Sequence, residues 1–131
     1  MKLLLDQNQP IYLQIIDEIK RSLARGDLKP GDRIPSQREL AEMAHVNPNT
    51  VQRAYREMEQ ADLVETLRGQ GTFVKKDENL VESIRREMAD QSLSSFVKEM
   101  QGLGYTLNEI VHLVTQVCET ETRGDEANGD G

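Results

Sequence analysis

The chain has no tryptophan and a single cysteine, Cys118. One thiol excludes an internal disulfide framework, so stability has to come from a packed core. Proline occurs at Pro10, Pro30, Pro35 and Pro48 and then not again. No apolar run is long enough to cross a bilayer. The start, Met1-Lys2-Leu3-Leu4-Leu5-Asp6, has too few apolar residues for a signal-peptide core. A cytoplasmic protein with no membrane partner is the expectation. Material for catalysis is also missing. His45 and His112 lie in different parts of the chain, and no Ser-His-Asp or Cys-His grouping is suggested. Neither an enzyme nor a cofactor is expected. Glu109-x-x-His112 has the i, i+3 spacing of a carboxylate-bridged metal site. It has no second motif of that kind, so an exposed helix pair without metal is the default. Cys118 falls on an apolar stripe and is expected to be packed in a core.

What is present is unevenly distributed. At 131 residues the chain holds one domain, or a small domain with an appendage. Its net charge is −7, which argues against a nucleic-acid partner, because such domains are usually basic. Position along the chain removes that objection. Residues 1–76 carry 12 basic and 11 acidic side chains, whereas residues 77–131 carry 4 and 12. Turn residues crowd the first part: Gly26, Pro30-Gly31, Pro35, Pro48, Gly69 and Gly71. This divides the chain into a compact mixed domain over 1–76, a helical region over 77–121, and a disordered acidic tail over 122–131.

Within the first domain, Tyr12, Ile15, Ile16, Ile19 and Leu23 recur at helical spacing, between Pro10 at the start and Gly26 as C-cap. A turn at Leu28-Lys29-Pro30-Gly31-Asp32 leads into an extended piece at Arg33-Ile34-Pro35. Ser36-Gln37-Arg38-Glu39 is a capping box. It opens a short helix with Leu40 and Met43 expected on the buried side. Ala41 and Ala44 leave room for another helix to approach closely. Asn47 is a good N-cap, and Pro48 fits the first helical position after it. The helix they start puts Val51, Ala54, Tyr55 and Met58 on one face, with Asn49, Gln52, Arg53 and Arg56 on the other. Leu63 to Leu67 and Thr72 to Val74 read as strands joined by the loop Arg68-Gly69-Gln70-Gly71. Helix, helix, turn, helix, hairpin is a winged helix-turn-helix. The fold class is mainly α with a small β-hairpin.

That arrangement has a definite chemistry. A helix entering the major groove presents base-reading groups near its N-terminus. Asn and Gln can bond adenine, and Arg can bond guanine. Asn47, Asn49, Gln52 and Arg53 supply these types. The Thr50 hydroxyl and the amides at this helix start can hold a phosphate. Arg38 is placed to reach backbone or base, and Arg33 and Ser36 add phosphate contacts. Gly69 and Gly71 let the hairpin approach DNA, with Arg68 and Gln70 reaching into a minor groove.

The sequence resembles the GntR family of bacterial transcription regulators over about residues 10–76. The residues carrying the resemblance are Tyr12-Leu13-Gln14-Ile15, Gly26-Asp27-Leu28-Lys29-Pro30-Gly31-Asp32 and Ile34-Pro35-Ser36-Gln37-Arg38-Glu39-Leu40-Ala41. They continue with Val46-Asn47-Pro48-Asn49-Thr50-Val51, Ala54-Tyr55 and Gly69-Gln70-Gly71-Thr72-Phe73-Val74. The short C-terminal part is similar to the YtrA-like subfamily, which lacks a large effector domain. The resemblance implies a dimeric repressor on a near-palindromic double-stranded DNA operator, in a subfamily often found beside transporter operons. It also implies DNA contacts at Arg38, at Asn47, Asn49, Thr50 and Gln52, and at Arg68, Gly69 and Gln70. Two departures stand out. Asn47-Pro48 replaces a frequent Ser-Arg pair, and Asp62 stands where the family usually has Gly, at a helix end that favours left-handed backbone.

After Lys76, Leu80, Val81, Ile84, Met88, Leu93, Phe96, Val97 and Met100 suggest one long helix, irregular near Asp90. Gly102-Leu103-Gly104-Tyr105 breaks it. Thr106 and Glu109 form a second capping box. Leu107, Ile110, Val111, Val114, Val117 and Cys118 line the next helix, with Leu113 beside them. Two amphipathic helices on so small a domain need a partner surface, and a second copy supplies it. The expected homodimer interface comprises Leu80, Ile84, Met88, Phe96, Leu107, Ile110, Val111, Val114 and Val117. The appendage is too small for a roomy effector pocket, and no effector is named by the sequence. The competing function is a protein-interaction module, in which the acidic helices bind a partner and the winged domain is a scaffold.

Overall fold

The structure, a computed structural model, describes the backbone of residues 3–129 and the side chains of residues 3–122. Helix α1 spans Ile11–Arg25, β1 Arg33–Ile34, α2 Gln37–Ala44 and α3 Pro48–Gln60. Strands β2 (Val64–Leu67) and β3 (Gly71–Val74) follow, then α4 (Leu80–Gly102) and α5 (Leu107–Gly129). The chain divides into two compact units, Met1–Glu87 and Met88–Gly131.

The first unit is built around α3. Val51, Ala54, Tyr55 and Met58 form its apolar face and are essentially inaccessible to solvent. Against α3 pack α1, with Ile15, Ile19 and Leu23 buried, α2, with Leu40 and Ala41 buried, and β2, with Val64 buried; Val74 of β3 is buried as well. The helix ends follow local rules. Gly26 closes α1 in the left-handed region at φ 86°. The Ser36 hydroxyl accepts the Glu39 amide at 3.1 Å. The Glu39 carboxylate lies 3.7 Å from Arg33, so it answers that cation rather than closing the reciprocal bond to Ser36. Asp62, in the place of the family glycine, does hold φ 57°.

Several expectations change. The extended piece at Arg33-Ile34 is a strand in its own right. It pairs antiparallel with β3 in a three-stranded sheet of order β1-β3-β2, with Arg33 opposite Phe73 and Ile34 opposite Thr72. Met43 is not on the buried side of α2; it is 60% exposed. The buried stripe there is centred on Ala44, between Leu40 and Ala41, and Met43 lies roughly a quarter turn off it at about 100° per residue. Ile84, expected at a dimer interface, is buried within the first unit, where Glu87 also pairs with Lys20 at 3.2 Å. The first turns of α4 thus belong to the winged unit, and the boundary falls after Glu87 rather than after Lys76.

In the second unit α4 runs through Asp90 without a break. Gly104, at φ 96°, makes the turn into α5. The second capping box is complete: Thr106 N donates to Glu109 Oε1 at 3.0 Å, and Glu109 N to Thr106 Oγ1 at 3.3 Å. Helix α5 continues to Gly129, past the point where a disordered tail is expected to begin; only Asp130 and Gly131 of that tail lie outside the described residues. Once a helix is nucleated each further residue adds a hydrogen bond, so polar composition alone does not stop it.

Tyr55 joins the parts of the first unit. Its ring is fully buried and its hydroxyl donates to the Pro35 carbonyl just ahead of α2. Burial, reinforced by the Glu39 charge, pushes its pKa well above the ordinary range. In the unfolded chain the phenol ionises near pH ~10. The stability it contributes is therefore complete below that pH and is lost as pH rises toward the folded-state pKa. Tyr55→Phe should cost about 1 kcal/mol in urea melts at neutral pH. It should also reduce the fall in stability above pH ~10.

Candidate nucleic-acid interface

Burying one face of α3 leaves the other outside. Asn49, Gln52, Arg53 and Arg56 are all exposed on it. Arg38, Asn49 and Gln52 line one shallow groove between α2 and the start of α3, together with Gln37, Ala41, Glu42 and Pro48. The Arg38 side chain is 92% exposed. The groove therefore brings together Arg38, Asn49 and Gln52, three of the residues the sequence offers for DNA contact. It adds Gln37 and Pro48, which sequence reading leaves out. Ser36 and Thr50 are half-buried beside it, and Asn47 is exposed.

The amides at the start of α3 do not fulfil the expected phosphate role. Pro48 has no N–H. The Asn49 amide donates to the Asn47 side-chain oxygen at 2.8 Å. Those of Thr50 and Val51 donate to the Asn47 carbonyl at 3.0 and 3.2 Å. A self-satisfied cap offers no free donors for an anion. An anion at this end would have to be met by side chains such as the Thr50 hydroxyl.

Arg53 is also differently engaged. Its guanidinium carbon lies 3.8 Å from the centroid of the Tyr12 ring. Nη2 donates to the Tyr12 hydroxyl at 3.1 Å, and Nε donates to Glu57 Oε1 at 3.4 Å. The pairing spans α1 and α3, so helical spacing within α3 carries no signal of it. Arg56 and Arg68 are exposed and have no ion-pair partner among the described residues.

The wing has two glycines with different duties. Gly69, at φ 79°, has open space where a Cβ would stand. Gly71, at φ 127°, has the Arg33 Nε 2.8 Å from that point. Arg33 thus lies across the base of the wing with Glu39 beyond it, and Gly71 makes the room. Arg68, Gly69 and Gln70 form the exposed tip.

Neither alternative chemistry gains support. Glu109 is committed to the Thr106 cap, which lowers its pKa through the backbone bond first and the hydroxyl second. No cluster of three or more His, Cys, Asp or Glu side chains able to hold a metal occurs among the described residues. Cys118, expected in a core, is exposed on α5. Among the described residues no helix is long and apolar enough to cross a membrane.

The fold and this surface define a winged helix-turn-helix regulator of transcription. The family model for bacterial regulatory proteins of the gntR family matches residues 11–74. The transcriptional regulator YhcF of Bacillus subtilis is 47% identical over 112 residues, covering 86% of this chain and 93% of that protein. The transcriptional repressor YtrA of the same organism is 36% identical, covering 91% and 92%. A GntR family regulator from Listeria monocytogenes superposes with a TM-score of 0.79 at 36% identity, over 86% of this chain and 98% of that one. The chain belongs to the GntR family and is a DNA-binding transcription regulator, a class without enzymatic activity.

The wing predicts a pair of outcomes. Gly69→Ala should cost about 1 kcal/mol from backbone strain alone. Gly71→Ala should cost more, because Arg33 must also move. Thermal melts of the two variants compared with wild type check the order.

Proposed function

We propose that this protein is a homodimeric repressor that binds a near-palindromic operator, each copy setting α3 in the major groove and its wing against the minor groove. The observation carrying the reading is the shared groove of Arg38, Asn49 and Gln52. It puts a guanidinium and two carboxamides, the groups that match guanine and adenine edges, side by side on one surface. Thr50, Ser36, Asn47, Arg33, Arg53 and the wing residues Arg68, Gly69, Gln70 and Gly71 flank them. The name of the relative YtrA as a repressor supports the direction of regulation. A small operon, transporter-related as for many short members of the family, is the proposed target.

The second unit supplies the dimer. Ile110 is buried and Leu113 half-buried within a single chain, so they are not free for a partner. Leu107, Val111, Val114 and Val117 remain exposed on α5, as do Leu93 and Phe96 on α4. An open apolar stripe of this length on two helices matches a self-complementary, two-fold contact. It would hold two recognition helices about one DNA turn apart, or a multiple of it. Leu80 and Met88 are half-buried, and Ile84 drops out.

Asn49→Ala should relax base preference at about one operator position and cost ~1–3 kcal/mol of binding there. Val114→Asp should yield a monomer in sedimentation and a large loss of operator affinity. Unchanged mass and affinity in Val114→Asp would overturn the dimer, and no binding to its own promoter region at low salt would overturn the regulator reading of this surface.

A further inference from the structure

Two arginines of the candidate DNA face each hold an acid one helical turn further on. Arg38 Nε lies 3.5 Å from Glu42 Oε1, and Arg53 Nε lies 3.4 Å from Glu57 Oε1. Both pairs are exposed, so they contribute little to stability. Their placement is unfavourable for the helices that carry them. Arginine preceding glutamate is the poorer order of an i, i+4 pair. Glu42 falls in the last turn of α2 and Glu57 in the last turn of α3, where a carboxylate meets the negative end of the helix dipole. Glu39 differs, since it stands in the first turn of α2, where a carboxylate is favoured. Helix stability therefore explains Glu39 but not Glu42 or Glu57. Glu42 also lines the groove that holds Asn49 and Gln52.

We infer that Glu42 and Glu57 are specificity residues: built-in counter-anions that Arg38 and Arg53 leave in order to touch DNA, and that penalise phosphate-only contact more than base contact. The inference rests on reading the α2–α3 surface as the DNA face. An arginine that leaves its glutamate for a phosphate exchanges one anion for another. It also brings the freed carboxylate up to the negative backbone. An arginine that leaves for guanine gains two directed hydrogen bonds at N7 and O6. Random DNA offers chiefly the first exchange, because non-specific affinity is phosphate contact. An operator offers the second. For Arg53 the stack on Tyr12 adds a further partner to be matched before it leaves.

The test is fluorescence anisotropy of the full chain on two short duplexes, one random and one selected from a random pool for tight binding, across a range of salt. Glu42→Gln and Glu57→Gln should each raise random-duplex affinity about fivefold at low salt, the effect of one unit charge a few ångströms away in water. Affinity for the selected duplex should rise less, so discrimination between the two falls. Glu78→Gln removes the same charge outside α2, α3 and the wing loop, and should leave discrimination unchanged. The thermal midpoint of Glu42→Gln should equal or exceed that of wild type. Equal gains on both duplexes, or a change no different from that of Glu78→Gln, would overturn the inference while leaving the DNA face intact. If wild type binds neither duplex, or Arg38→Ala alters neither affinity, the reading of the face falls and the inference with it.

Discussion

Everything in the winged unit depends on the burial of one side of α3. Val51, Ala54, Tyr55 and Met58 have to leave water, and α1, α2 and the sheet supply the surface that lets them do so. A helix has only one rotation that buries a given stripe. Fixing it fixes Asn49, Gln52, Arg53 and Arg56 on the opposite side. The presentation of this polar face is thus set by packing: the polar residues are exposed because the apolar ones are buried. The Tyr55 hydroxyl on the Pro35 carbonyl adds a polar pin between α3 and the entry to α2.

The same economy runs through the periphery of the site. Asn47 caps α3 and, in doing so, takes the amides that an anion would otherwise meet. Arg33 fills the hollow left by Gly71 and ties the wing base to the α2 side of the sheet through Glu39. Arg53 bridges α3 to Tyr12 of α1. Groups that look free in a list of charged residues already have internal partners. On the proposed DNA face, a nucleic acid would have to compete with those partners. The acidic balance of the whole chain is consistent with this, since it keeps sequence-independent attraction low.

How much of this was legible in the sequence follows from the range of the interactions. Gly26, Ser36, Asn47-Pro48, Thr106 and the wing glycines mark their turns because caps and turns are decided by a few adjacent residues. The left-handed Asp62 was legible only through the resemblance to the family. The exposure of Met43 is not legible in the sequence because a two-turn helix has too few apolar residues to fix the centre of its stripe. At Arg33-Ile34 the sequence marks only extended backbone, since the partner Thr72-Phe73 lies some forty residues away and pairing leaves no local mark. Arg38, Asn49 and Gln52 are singled out by residue type and helix position, but their common groove and the stack of Arg53 on Tyr12 leave no mark in the sequence.

By itself, the sequence determined the order of elements, the apolar and polar faces of α3, and the family, because periodicity, caps and motif spacing are properties of neighbours along the chain. Tertiary structure decided which side chains remain available. It placed Ile84 in the winged unit and left the α5 stripe of Leu107, Val111 and Val114 open. It also gave Arg33 and Arg53 their partners. Those outcomes depend on how close residues distant in the chain come in space, and only packing sets that distance.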